Sequence, residues 1–170
     1  MGITDLIWNA ISLPKQRFIL WLAVHSKLLT KERLIKMNIP VDEVVCCLCD
    51  KKDLEINHHL FVTCSWFCEV RNEMMQWTGI KLPAVGIKQV LEVVKNRHWR
   101  KFVKEIVAAL ISGMVYYAWR ARNWRLFKKI NISPSDAVAR IKYEVVARID
   151  IFKLAQKFIR SRSFHPRLCV

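Results

Sequence analysis

The segment CCLCDKKDLEINHHLFVTC, residues 46–64, holds four of the chain's six cysteines and constrains the fold more than any other stretch. Cys46 and Cys49 form a C-x-x-C pair, a spacing that lets two thiolates converge from one tight turn, and His59 and Cys64 offer a third and a fourth ligand. Four soft or borderline ligands suit one tetrahedral zinc ion; with all four positions taken by protein, no site is left for water and the expected metal is structural. Spacing alone leaves neighbours in contention: Cys47 beside Cys46, His58 beside His59, and Cys68 one helical turn past Cys64. The alternative is a set of buried free thiols behaving as small hydrophobes. A C-x-x-C followed by H-x4-C, in the one stretch without clear helical period, favours the metal.

The opening MGITDLIWNAISLPKQ has no basic leader, no continuous apolar core and an early Pro14, so no secretory signal is expected. Gly2 does not make a myristoylation site, because Leu6 stands where Ser or Thr is needed. In an intracellular chain the cysteines point to thiols or metal rather than disulfides. The longest uncharged run, Ile106 to Trp119, has 14 residues, short of the roughly 20 that span a bilayer. It reads as a buried helix segment, and no membrane association is expected.

With 53% hydrophobic residues and only 4 Gly, the remainder reads as packed helix. Thr4 is expected to cap a short helix carrying Ile7, Trp8 and Ile11 and ended by Pro14. A second helix is expected over 15–26 with Phe18, Trp21 and Leu22 on one side. Thr30 should cap a third over 31–37, with Leu34 and Ile35 inward and Asn38 as its stop. Trp66, Val70, Met74 and Trp77 then describe an amphipathic helix closed by Gly79. The stretch KLPAVG, residues 81–86, is the candidate boundary.

From Trp99 onward, Phe102, Ile106, Leu110, Gly113, Tyr117, Ala121 and Trp124 follow steps of three and four. They predict roughly 40 Å of helix, wrapped in its middle and basic at both ends. Ser133-Pro134-Ser135-Asp136 supplies an N-cap, a first-turn proline and a capping-box acid for a last helix, with Ile141, Val145, Ile149, Phe152 and Ile159 inward. The expected fold class is mainly α. A small zinc-stabilised helical domain occupies 1–80, a linker and short helix 81–97, and a long basic helical hairpin 98–170.

Charge is divided unevenly along this plan. Residues 1–94 carry 11 basic and 10 acidic side chains, residues 95–170 carry 18 and 4, so nearly all of the net +15 lies in the second half. That asymmetry suits a polyanionic partner, against the plainer reading of a solvated basic face. In WRARNWR, residues 119–125, aromatic rings interleave with arginines as in nucleic-acid binders. Trp124 shares a stripe with Tyr117 and Trp99, which argues for core. Arg122, Arg125, Lys128 and Lys129 are therefore the expected phosphate contacts.

Catalysis is not expected. Polymerase or nuclease chemistry needs clustered carboxylates to hold two metal ions, and the second half offers only Glu105, Asp136, Glu144 and Asp150. All four sit in helical patterns and read as solubility and i,i+4 partners. Pairing Cys68 or Cys169 with His98 or His165 gives no orienting group for a nucleophile. His25 and His98 read as packing or surface residues, and no small-molecule substrate is expected.

A resemblance refines these expectations. It is carried by Ile7-Trp8, Leu13-Pro14-Lys15, Phe18, Leu20-Trp21-Leu22-Ala23, Leu28, Thr30 and Leu34, followed by Cys46-Cys47-Leu48-Cys49, Glu55, His59-Leu60-Phe61 and Cys64. Residues 7–78 resemble the zinc-binding region downstream of the reverse transcriptase domain in plant LINE-type (non-LTR) retrotransposons. Val115 to Phe127, VYYAWRARNWRLF, is similar to the aromatic Trp-x-x-Arg-Asn tail that follows that region. The resemblance implies Cys46, Cys49, His59 and Cys64 as ligands of one zinc ion, with Leu60 and Phe61 packing. Two departures stand out: reverse transcriptase, endonuclease and RNase H portions are lacking, and Cys68 is an extra thiol. The chain then looks like the C-terminal end of such a polyprotein.

The resulting expectation is a non-catalytic zinc module that binds RNA or DNA through its basic second half, in the nucleus if it follows the family's way of life. The alternatives are a zinc-stabilised module that binds an acidic protein partner, and a decayed fragment without nucleic-acid binding.

Overall fold

Local side-chain chemistry, more than hydrophobic period, sets the first helices. Helix α1 (Ile3–Ile7) begins at Gly2, whose N–H donates to Asp5 Oδ2 at 2.7 Å, so Thr4 lies inside the helix rather than capping it. It stops at Ile7 because Asn9 builds a turn of its own. Asn9 Oδ1 accepts from the Ile11 and Ser12 N–H groups at 3.0 and 2.9 Å, and Nδ2 donates to the Leu6 carbonyl at 2.6 Å. Ile7 and Ile11 are buried and Trp8 is exposed. Pro14 does not merely end what precedes it; it is the first residue of α2 (Pro14–Val24), where a missing N–H costs nothing.

The buried face of α2 is Gln16, Leu20 and Ala23, while Phe18 and Trp21 are exposed and stack with ring centroids 6.4 Å apart. Helix α3 (Lys31–Lys36) is capped as expected, Thr30 Oγ1 accepting from Arg33 N–H at 3.4 Å, and Asn38 takes a left-handed φ of 57° beyond it. Ile35, expected inward, is exposed. The helix is turned instead by buried Lys31, whose Nζ donates to the Val45 carbonyl at 2.7 Å. Helix α4 (Ser65–Thr78) buries Trp66, Phe67, Val70 and Met74 and ends at Gly79 with φ 69°; Trp77 is exposed.

The computed structural model describes residues 1–163 and the side chains of residues 1–154. The side chain of Ile159, and Cys169 and His165 altogether, lie outside the described residues. Among those described there is no strand, only an isolated bridge between Val45 and Leu54.

Helix α5 (Ile87–Asn96) follows the loop at 81–86 and leads into α6 (Lys101–Lys128), the axis of the fold. Every residue of α6 from Val107 to Val115 is buried, as the wrapped middle predicts, because α1, α2, α4, α5 and α7 (Pro134–Ser163) all pack against it. By length and composition alone α6 would suffice to cross a membrane, but here its apolar stretch is core. That core runs without a break from Leu6 to Val145, so the helices on either side of the 81–86 loop share it.

Helices α6 and α7 form the expected hairpin. Ser133 Oγ accepts from Asp136 N–H at 3.1 Å and Asp136 Oδ2 accepts from the Ser133 backbone N–H at 3.4 Å, closing the capping box. Ile141 and Val145 are buried, and Ile149 and Phe152 half-buried. Glu144, expected to serve solubility, is instead a joint of three helices: it accepts from Tyr117 Oη at 2.8 Å and from Gln16 Nε2 at 2.7 Å. Burial, and then Glu144, push the Tyr117 hydroxyl pKa up. Arg148 adds bonds from α7 to the Ile11 and Ala10 carbonyls.

The hairpin closes tightly at Gly113, where a Cβ would lie 3.1 Å from Ile141 Cγ2. Gly113→Val should force α6 and α7 apart and cost about 1–3 kcal/mol. Thermal unfolding followed by circular dichroism checks this, and an unchanged Tm would show that the crossing has slack.

Candidate metal centre

Two segments of unlike geometry meet at the cysteines. Residues 44–55 fold back on themselves, Cys46 N–H donating to the Asp53 carbonyl at 2.8 Å and Glu55 N–H to the Val44 carbonyl at 3.0 Å, with Lys52 at a φ of 55° in the turn. Within this loop Cys46 and Cys49 sit on a knuckle, and Leu48 N–H points at Cys46 Sγ from 3.4 Å. The second segment is a π-helical turn, His59–Thr63, closed by Cys64 N–H on the His59 carbonyl at 2.8 Å. In an α-helix, residues five apart lie about 140° apart around the axis. The wider turn brings His59 and Cys64 to one side, as such turns do at functional sites.

The ligand atoms of Cys46, Cys49, His59 and Cys64 all lie within 4.8 Å of one another, and all four residues are buried. Cys46 Sγ is 3.9 Å from Cys64 Sγ, and Cys49 Sγ is 3.3 Å from His59 Nε2. A tetrahedron with Zn–S of about 2.3 Å and Zn–N of about 2.0 Å has edges of roughly 3.5–3.8 Å. The donor set thus fits one zinc ion. His59 Nδ1 lies 3.0 Å from Thr63 Oγ1 and 3.3 Å from Asp53 Oδ2, so a proton held there leaves the Nε2 lone pair facing the cluster.

The facing thiols of the cluster compete for ionisation. The facing Cys64 thiol draws Cys46 down to about 5 against its burial, helped by Leu48 N–H and His59. Cys46 in turn, together with burial, pushes Cys64 up. A divalent ion removes that competition by favouring every thiolate at once. The neighbouring candidates point elsewhere. Cys47 Sγ faces the Arg122 carbonyl at 3.8 Å, His58 is exposed, and Cys68 Sγ faces the Val62 carbonyl at 3.2 Å. Leu60 and Phe61 are buried in the core beside the cluster.

Arg122, expected to contact phosphate, does not reach solvent. It is 3% exposed and donates from Nε and Nη2 to Glu55 Oε1 at 3.0 and 2.6 Å, with Glu55 itself 0% exposed. Its Nη2 also reaches the Leu29 carbonyl at 3.3 Å, and Glu55 Oε1 accepts the Lys31 N–H at 3.0 Å. The residue lies one turn beyond the apolar middle of α6, where charge suggested a wet face. What the helix meets there is the carboxylate of the metal loop, 67 residues away in sequence.

The other three basic candidates, Arg125, Lys128 and Lys129, are exposed. Trp124 is half-buried, with the Arg120 guanidinium 4.2 Å and the Lys128 ammonium 5.1 Å from its ring centroid. Phe127 and Tyr143, not singled out by sequence pattern, are 78% and 74% exposed.

Purified protein should contain one zinc per chain by elemental analysis, retained in Cys47→Ala and lost together with helicity in His59→Ala. Equal zinc in both variants would contradict this ligand set. Arg122→Ala strands the Glu55 carboxylate in the interior and should cost about 3–5 kcal/mol in denaturant unfolding, whereas removing both charges with Glu55→Gln and Arg122→Met should cost less. A near-neutral Arg122→Ala would show that the pair anchors nothing.

No curated protein and no solved structure matches the chain. Residues 2–70, a span that contains the whole Cys–Cys–His–Cys cluster, match the family model for zinc-binding in reverse transcriptase, and this part of the chain is a zinc-binding module.

Proposed function

We propose that this protein is a non-catalytic, zinc-stabilised module derived from a non-LTR retrotransposon polyprotein, and that it holds RNA or DNA in the nucleus through its basic second half. One observation carries the reading: Arg125, Lys128 and Lys129 are exposed together where α6 ends, beside the exposed Phe127 ring. Exposed cations of this kind neutralise phosphates and release counterions without reading sequence. Four buried protein donors leave a tetrahedral ion no open position for water, which suits a structural role. Zinc, when bound, supplies folding energy by tying the 46–49 knuckle to the turn at 59–64.

The same positive surface also suits an acidic protein, so the decisive property is salt dependence on nucleic acid. Binding of labelled RNA and duplex DNA should weaken linearly in log–log form with salt, each phosphate contact contributing about 0.7–0.9 to the slope. Replacing Arg125, Lys128 and Lys129 together by Gln should lower that slope by about 2. No nucleic-acid binding, alongside capture of an acidic protein, would overturn the proposal in favour of a protein-interaction module.

A further inference from the structure

A cleft of about 440 Å³ opens between the C-terminal end of α6 and the N-terminal end of α7. Its size falls in the range of ligand sites. One wall is a ladder on α6, Tyr117, Arg120 and Trp124, in which the Arg120 guanidinium lies 4.2 Å from the Trp124 centroid and 5.8 Å from that of Tyr117. The opposite wall carries Arg140 and Tyr143 from α7. At 74% exposure the Tyr143 ring contributes little to the core, yet it borders an open cleft. The one carboxylate in the lining, Asp136, already accepts from Ser133 in the cap of α7. Arg120 and Arg140 make the lining net positive, and Lys128 stands over the Trp124 ring at 5.1 Å.

We propose that this cleft takes unpaired bases of single-stranded nucleic acid, stacked between Tyr143 and the Arg120–Trp124 pair, with phosphates on Lys128 and Arg140. Aromatic rings and guanidinium planes are the surfaces on which splayed-out bases stack. In a duplex the faces of each base are covered by its neighbours, so a paired strand cannot enter. The inference rests on the nucleic-acid reading above and sharpens it: the exposed basic residues supply affinity for any polyanion, and the cleft supplies preference for a single strand.

The test uses the full zinc-loaded chain and four probes of equal length, about a dozen nucleotides: single-stranded RNA, single-stranded DNA, duplex DNA, and a strand whose bases have been removed. At one salt concentration, base-bearing single strands should bind about tenfold more tightly than the duplex or the abasic strand. Tyr143→Ala, at an exposed position and with an unchanged circular dichroism spectrum, should lose about that tenfold while keeping the wild-type salt slope, and Tyr143→Phe should retain it. Equal binding of abasic and base-bearing strands, or a Tyr143→Ala protein that binds like wild type, would overturn the cleft while leaving polyanion binding intact. Absence of binding to all four probes would overturn both.

Discussion

A carboxylate and a guanidinium, both stripped of water, hold the two halves of this protein in register. Glu55 belongs to the metal loop and Arg122 to the far third of α6, and two donated bonds converge on the single oxygen Oε1. Desolvating such a pair is costly, and its contribution is better understood as geometric specification than as net stability. The same oxygen takes the first N–H of α3, and the same guanidinium takes the Leu29 carbonyl, so loop, α3 and α6 are fixed by one small network. The Cys46–Cys49 knuckle has a defined place because the residues beside it cannot slide along α6.

Features governed by neighbours in sequence were legible beforehand. The Thr30 cap, the Gly79 stop, the Ser133–Asp136 capping box and the wrapped middle of α6 each follow from a handful of adjacent residues. The donor set was legible as a spacing, though choosing between Cys46 and Cys47, or His58 and His59, depended on the family resemblance; the knuckle and the π turn show which side chains converge. What escaped was long-range pairing of charge. Nothing near Arg122 or Glu144 in sequence signals that the first meets Glu55 and the second meets Gln16 and Tyr117. A charged residue on a helix reads as wet until the partner that dries it is known. Asn9 escaped for a different reason: its side chain imitates backbone bonding and ends α1 where hydrophobic period alone would have continued it.

Division of labour between the halves follows from where ionisable groups are allowed to sit. Around the metal site the groups that matter face inward and find partners, three thiols and an imidazole around one point and the Glu55 carboxylate on an arginine. At the end of α6 Arg125, Lys128 and Lys129 face outward, and the half-buried Trp124 ring lies among them under Arg120 and Lys128. An inward arrangement spends its electrostatics on shape. An outward one keeps them available to a partner.

Because α6 threads the middle of everything, the span that matches a known family and the span that can stand alone are different lengths of chain. Residues 2–70 hold the donors, but α1, α2 and α4 present their apolar faces to a helix that begins at Lys101. A peptide cut to the family boundary would keep its ligands and lose the surface they are built upon. It would also leave Glu55 without its only ionic partner among the described residues. Excision, in this architecture, exposes an interior rather than freeing a self-contained core.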